Sequence, residues 1–262
     1  MRFAAILRTE TRKFLSLKLW WLAGGIVPLA ALAATAALLF VVGLSSRSPM
    51  NLDSPDHLLA AANLLGSVGY VVPLGVGVLI YTSDVAHRTL AVTLIGEPSR
   101  TRIYASKVIV AAGYGAALGV LTAVGGAVGT SAGLRVSGSA SSGDVFIDSR
   151  VFLITVTFSL WAVLGVGLGS LIRSSLIAIV GALAVTQLLE PLARLALSTL
   201  GYQWAVQVLP GAANDAAIGG SLVNLAMGGA PASVSAGMAV LACYAVLAVA
   251  AGAVRSARFE VA

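Results

Sequence analysis

The chain has 262 residues, of which 58% are apolar and only 10% charged, with a mean hydropathy of +0.97. Soluble domains carry about 25% charged residues, so the composition excludes a soluble globular protein, and no polar stretch is long enough for a separate soluble domain. Sixteen lysines and arginines against ten acidic residues give a formal net charge of +6, but these cations flank apolar runs, a pattern of membrane orientation and not of nucleic-acid binding.

Residues 1–19 read as an amphipathic interfacial helix. Phe3, Ile6, Leu7, Phe14 and Leu17 recur at helical spacing, while Arg2, Thr9, Arg12 and Lys13 fall largely elsewhere on the wheel. This leader is too long and too amphipathic for a cleavable signal peptide. The first span is predicted at 20–43, opened by the interfacial pair Trp20-Trp21. After a loop at 44–57, Ser54-Pro55-Asp56 suits a helix start, and the second span is predicted at 58–80.

Tyr81 to Lys107 is the longest internal polar stretch, carrying Asp84, His87, Arg88, Glu97, Arg100, Arg102 and Lys107. Its apolar positions Val85, Leu90, Val92, Leu94 and Ile95 suggest a short helix along the membrane surface, ended by Gly96-Glu97-Pro98-Ser99. Residues 81–103 therefore form a cytoplasmic loop whose apolar anchors would be Val85, Leu90 and Leu94, with Asp84, Arg88 and Glu97 as exposed rim charges.

The third span is predicted at 104–134, where Gly115, Gly119, Gly125, Gly129 and Gly133 include three small-xxx-small pairs. A Ser/Gly-rich loop precedes the fourth span at 151–172, which carries Gly165-x-x-x-Gly169, and the fifth span runs over 176–195. Residues 196–232, broken by Gly201, Pro210, Gly211 and Pro231, are predicted to form re-entrant or short outer helices. Asn214 and Asp215 are expected there in a turn at the aqueous surface. The sixth span is 233–254.

The fold class is thus all-α, a single transmembrane domain over 1–262 with six spans and both termini on one side. Twelve cations (Arg2, Arg8, Arg12, Lys13, Lys18, Arg88, Arg100, Arg102, Lys107, Arg173, Arg255, Arg258) fall on that side. Four (Arg47, Arg135, Arg150, Arg194) fall on the other. This places the termini and the 81–103 loop in the cytoplasm.

Chemistry is sparse. Cys243 is a lone thiol in an apolar run, so no disulfide or thiolate metal site is expected. No lysine follows the glycine of a P-loop, so ATP has no site here, and neither histidine belongs to a zinc motif. Gly129-Thr-Ser131-Ala-Gly133 matches G-x-S-x-G, with His57 and Asp53 or Asp56 as conceivable partners. That chemistry needs a sharp strand-to-helix turn, which a glycine-rich span does not offer. Glu190 and Arg194, at i and i+4 beside Pro191, are ionisable residues within a span and candidates for a substrate path or gate. Their expected depth is near the outer interface, where they also neutralise each other.

The stretch Glu10-Thr-Arg-Lys13-Phe, the Trp pair and six spans together resemble a bacterial ABC exporter permease of the type-two class, which shares the ABCG-like transmembrane fold. The first cytoplasmic loop is similar to that family's pattern at Asp84, His87, Thr89, Thr93-Leu94, Pro98, Arg100 to Arg102 and Lys107. Arg88 stands where the family usually has glycine. The resemblance implies a subunit of the bacterial inner membrane that binds no cofactor itself. Two cytosolic ATP-binding subunits would carry ATP and Mg and dock on the 81–103 loop, and a second or related permease copy would complete the assembly among membrane lipids. The cargo expected is amphipathic or hydrophobic: a drug, a lipid or a small peptide. A secondary transporter or channel without an ATPase is the first alternative, and a membrane-embedded serine hydrolase the second.

Overall fold

The structure, a computed structural model, describes residues 3–16, 18–44, 50, 54–86, 99–136, 147–172, 174–222 and 232–257. All regular structure among these residues is helical. In chain order the helices are α1 (Phe3–Leu15), α2 (Lys18–Leu44), α3 (Pro55–Ala62), α4 (Leu64–Val68), α5 (Val71–Ala86), α6 (Arg100–Val136) and α7 (Ile147–Ile172). Then follow α8 (Ser175–Thr199), α9 (Gln203–Val208), α10 (Pro210–Ala217) and α11 (Val234–Ala257). A chain this apolar must satisfy its backbone internally, and the helix does so within each segment.

Five helices are long and apolar enough to cross a membrane: Trp21–Leu44, Arg100–Val136, Arg150–Ile172, Ser175–Thr199 and Val234–Ser256. Their outer faces are unprotected hydrocarbon. On α8, Leu176, Ile177, Val180, Leu188, Leu192 and Leu195 are each more than half exposed. Faces of this kind are stable against lipid and not against water. The chain is therefore a multi-pass membrane protein.

The expected second span at 58–80 differs from the observed chain, which divides into α3, α4 and α5. The break has a polar cause. Asn63 leaves the helix and donates its amide to the carbonyls of Ile218 and Gly220 at 2.8 and 3.0 Å. The turn at Gly69-Tyr70 then lays Tyr70 on Trp161, ring centroids 4.2 Å apart and 15° from parallel. The fifth span also departs from regularity, with a π-helical turn at Ala184–Leu189 just ahead of Glu190.

Packing is organised around α7, which carries the fully buried Phe158 and Trp161. Small residues set the distances. A Cβ on Gly115 would lie 2.5 Å from the Phe158 carbonyl oxygen, and one on Gly129 2.5 Å from that of Leu32. Gly77 meets the Ala162 carbonyl, and Gly165 that of Leu74, still more closely. The small-xxx-small pairs of the sequence are thus helix seams: Gly115 and Gly119 face α7, while Gly125, Gly129 and Gly133 face α2.

Helix α1 buries Ile6, Glu10 and Phe14, one residue per turn, and leaves Phe3 and Leu15 partly exposed. Phe14 packs edge-on against Tyr114 of α6 at 5.1 Å. Its inner stripe therefore faces protein, with an acid at the centre.

Candidate functional site

Two buried ion networks stand out, one at each end of the polar chemistry. The first begins with Lys107, whose stem lies in the apolar contact between α5 and α6, where its ammonium has to find acceptors. Its Nζ donates to Oε2 of Glu10 at 2.8 Å, to the Ile80 carbonyl at 3.2 Å, and to the Asp84 carboxylate. Lys13 closes the ring: its Nζ is 2.9 Å from Oε1 of Glu10 and 3.9 Å from Oδ1 of Asp84. Two cations thus neutralise two carboxylates, and the ions join α1, α5 and α6.

Several expected loop residues can be placed. Asp84 is not an exposed rim charge: it is 7% exposed and held by Lys107. The reason is desolvation, since a carboxylate facing the α5–α6 contact is stable only with a cation beside it. Val85 lies in the last turn of α5. Arg100, half-buried, and Arg102, exposed, occupy the first turn of α6. His87, Arg88, Thr89, Leu90, Leu94 and Glu97 lie outside the described residues.

The second network is built on α8. The midpoint of Ser175–Thr199 is Gln187, so Glu190 sits about 4–5 Å beyond the centre of the helix at a 1.5 Å rise per residue. Arg194 donates through Nε and Nη2 to Oε1 of Glu190 at 3.0 and 2.7 Å, and through Nη1 to Oδ2 of Asp215 at 2.8 Å. The Glu190 carboxylate also accepts the backbone N–H groups of Gly211 and Ala212, both at 2.8 Å. It thereby caps the N-terminus of α10, where Pro210 has no N–H to offer. A Cβ on Gly211 would lie 2.7 Å from Oε1 of Glu190, so glycine is what admits the carboxylate.

Asn214 and Asp215 are therefore not in a turn at the surface; both are buried within α10. Trp161 donates its indole N–H to Oδ1 of Asn214 at 2.9 Å, and Asn214 donates to the Gly66 carbonyl at 3.2 Å. Gln187 donates to the Tyr70 hydroxyl at 3.1 Å. This arrangement locks a short helix into the membrane domain by ions and does not leave a nucleophile open. Ser131, of the G-x-S-x-G match, lies inside continuous α6 with its hydroxyl donating to the Val128 carbonyl at 2.9 Å. No strand-to-helix elbow exists there. Among the described residues, no group of three or more His, Cys, Asp or Glu comes together to hold a metal.

Two partners were hidden from sequence reasoning. Glu10 had a signal: an acid at i+4 from Ile6 and i−4 from Phe14 sits on the apolar stripe. Asp215 had none, because its guanidinium partner is 21 residues away and reaches it only through the fold.

Neither a protein-family model nor any curated protein matches this chain. What fold and site define is the class: a multi-pass membrane protein, helical in all the regular structure of the described residues, with buried ion networks around Lys107 and Arg194.

Proposed function

We propose that this chain is the permease subunit of an ATP-driven exporter of the type-two ABC class, carrying an amphipathic or hydrophobic substrate out of the cytoplasm. The observation that carries the reading is the ring of Glu10, Lys13, Asp84 and Lys107. It braces both roots of the 87–98 segment, the end of α5 and the start of α6, against α1. A push on that segment from a docked ATPase would reach all three helices at once. On this reading α3 to α5 make one crossing, the chain has six spans, and both termini lie on the cytoplasmic side of a bacterial inner membrane. ATP and Mg belong to two partner subunits, and a second permease copy completes the assembly.

The test is gentle purification from native membrane, in which an ATPase should accompany the protein. Leu90→Asp with Leu94→Asp should leave the chain inserted but release that ATPase, because apolar anchors dominate helix-in-groove docking. Retention of the ATPase at wild-type level by the double variant would overturn this site.

A second reading, a secondary transporter or channel, is favoured by one observation: Glu190, three residues past the midpoint of Ser175–Thr199, shares a buried ion network with Arg194 and Asp215. It requires substrate flux in proteoliposomes that contain this chain alone and no ATP.

A further inference from the structure

The two ion networks differ in their charge balance. Lys13 and Lys107 match Glu10 and Asp84 cation for carboxylate, whereas Arg194 stands alone between Glu190 and Asp215. All three members are buried, Glu190 at 3%, Arg194 at 7% and Asp215 at 2% exposure. With both carboxylates ionised, the network carries one uncompensated negative charge out of reach of water, which is strongly unfavourable. Among the described residues, the neighbouring elements bring no second cation to it. Helices α4 and α9 have no charged residue, and the Arg150 guanidinium of α7 has no hydrogen-bond partner. Tyr70 and, on α11, Tyr244 are the other titratable groups near Glu190, and both are neutral phenols.

The two carboxylates are not equivalent. Glu190 accepts Nε–H and Nη2–H of Arg194 and the main-chain N–H groups of Gly211 and Ala212, at the positive, N-terminal end of α10. Asp215 sits in the last turn of the same helix, at the negative end of its dipole. It takes one N–H from Arg194 and a hydrogen bond from the Ser221 hydroxyl. A hydroxyl can donate or accept, so Ser221 can give its hydrogen to an ionised Asp215 or receive one from a protonated Asp215. The side chain that accommodates a proton is therefore Asp215.

We propose that the Glu190–Arg194–Asp215 network is a proton-binding site, in which Asp215 holds one exchangeable proton at neutral pH. Two carboxylates and one guanidinium sum to a charge of −1. Uptake takes a proton from water, forms one O–H bond on the Asp215 carboxyl and brings that sum to zero; release returns the proton to water. Proton occupancy does not depend on how transport is energised, and it holds under either reading given above.

The experiment is infrared spectroscopy of the detergent-solubilised full chain in water and in heavy water, paired with unfolding as a function of pH. At neutral pH wild type should show the C=O band of a protonated carboxyl, moved by deuterium exchange and lost at high pH. Asp215→Asn should lack that band. Glu190→Gln should lack it as well, because one carboxylate is then left to one guanidinium and Asp215 ionises. This second variant decides the matter should Asp215→Asn not fold. The folded wild type binds one proton more than the unfolded chain, whose aspartates are ionised at neutral pH, so its stability falls as pH rises. Its unfolding equilibrium should rise by up to about tenfold per pH unit more than that of Asp215→Asn. No protonated carboxyl band in wild type, an undiminished band in either variant, or parallel pH profiles of wild type and Asp215→Asn would each overturn the site.

Discussion

Nζ of Lys107 and Oε2 of Glu10, 97 residues apart in the chain, lie 2.8 Å apart in a contact that water does not reach. Removing the ammonium leaves Glu10 and Asp84 to share Lys13 alone, one cation short. Lys107→Met should therefore cost about 3–5 kcal/mol, the usual penalty for leaving a buried charge uncompensated. Adding Glu10→Gln and Asp84→Asn to Lys107→Met should recover much of the loss. Unfolding in detergent checks both, and a single variant as stable as wild type would show that the ring is not buried in solution.

The glycine seams give a paired prediction. Gly165→Ala and Gly77→Ala place a methyl group against backbone carbonyls of the neighbouring helix, and each should cost about 1–3 kcal/mol as the helices are forced apart. At Gly75 and Gly113 a methyl group would enter open space, with no neighbouring atom within 4 Å. Alanine there should be neutral or should raise stability by up to about 1 kcal/mol through helix propensity. Equal effects at the two kinds of site would mean that the helices are not in backbone contact.

Trp161→Phe keeps the ring on Tyr70 but removes the N–H that satisfies Asn214. A buried acceptor left bare costs about 1–3 kcal/mol. Trp161→Phe with Asn214→Leu should lose less than the sum of the two single changes, which a double-mutant cycle measures.

At Glu190, charge and capping can be separated. Glu190→Ala strips Arg194 of one partner and Gly211 and Ala212 of their acceptor, so a loss of about 3–5 kcal/mol is expected. Glu190→Gln keeps an acceptor oxygen and should fold with a smaller loss. If flux in ATP-free proteoliposomes exists and vanishes in Glu190→Gln while unfolding barely moves, the carboxylate serves ion-coupled transport. If flux follows stability, the residue is a brace.

Composition alone made the membrane class readable, and apolar length located most spans, since a helix crossing lipid must be long and nearly uncharged. The divided segment α3 to α5 was not readable. Asn63 breaks it through carbonyls 155 and 157 residues away, and no local pattern encodes that distance. That Glu190 falls near the middle of its helix was also unreadable: α8 continues to Thr199, past the point where hydropathy fades. Of the four cations that charge counting assigns to the outer side, Arg150 and Arg194 are buried in the protein. Charge statistics register a side chain's sign and position along the chain, not its burial or the carboxylates that hold Arg194.

The glycine contacts of α6 and α7 also bear on how such a molecule could move. Where main chain rests on main chain, no cushion of long side chains remains to be rearranged, and interlocked surfaces shift in whole steps or stay put. Helices α2, α5, α6 and α7 are joined in this way into one plate. A plate has no crack to widen from within. On the exporter reading proposed above, a corridor for cargo would open along the rim of this plate, where a second copy would supply the opposite wall.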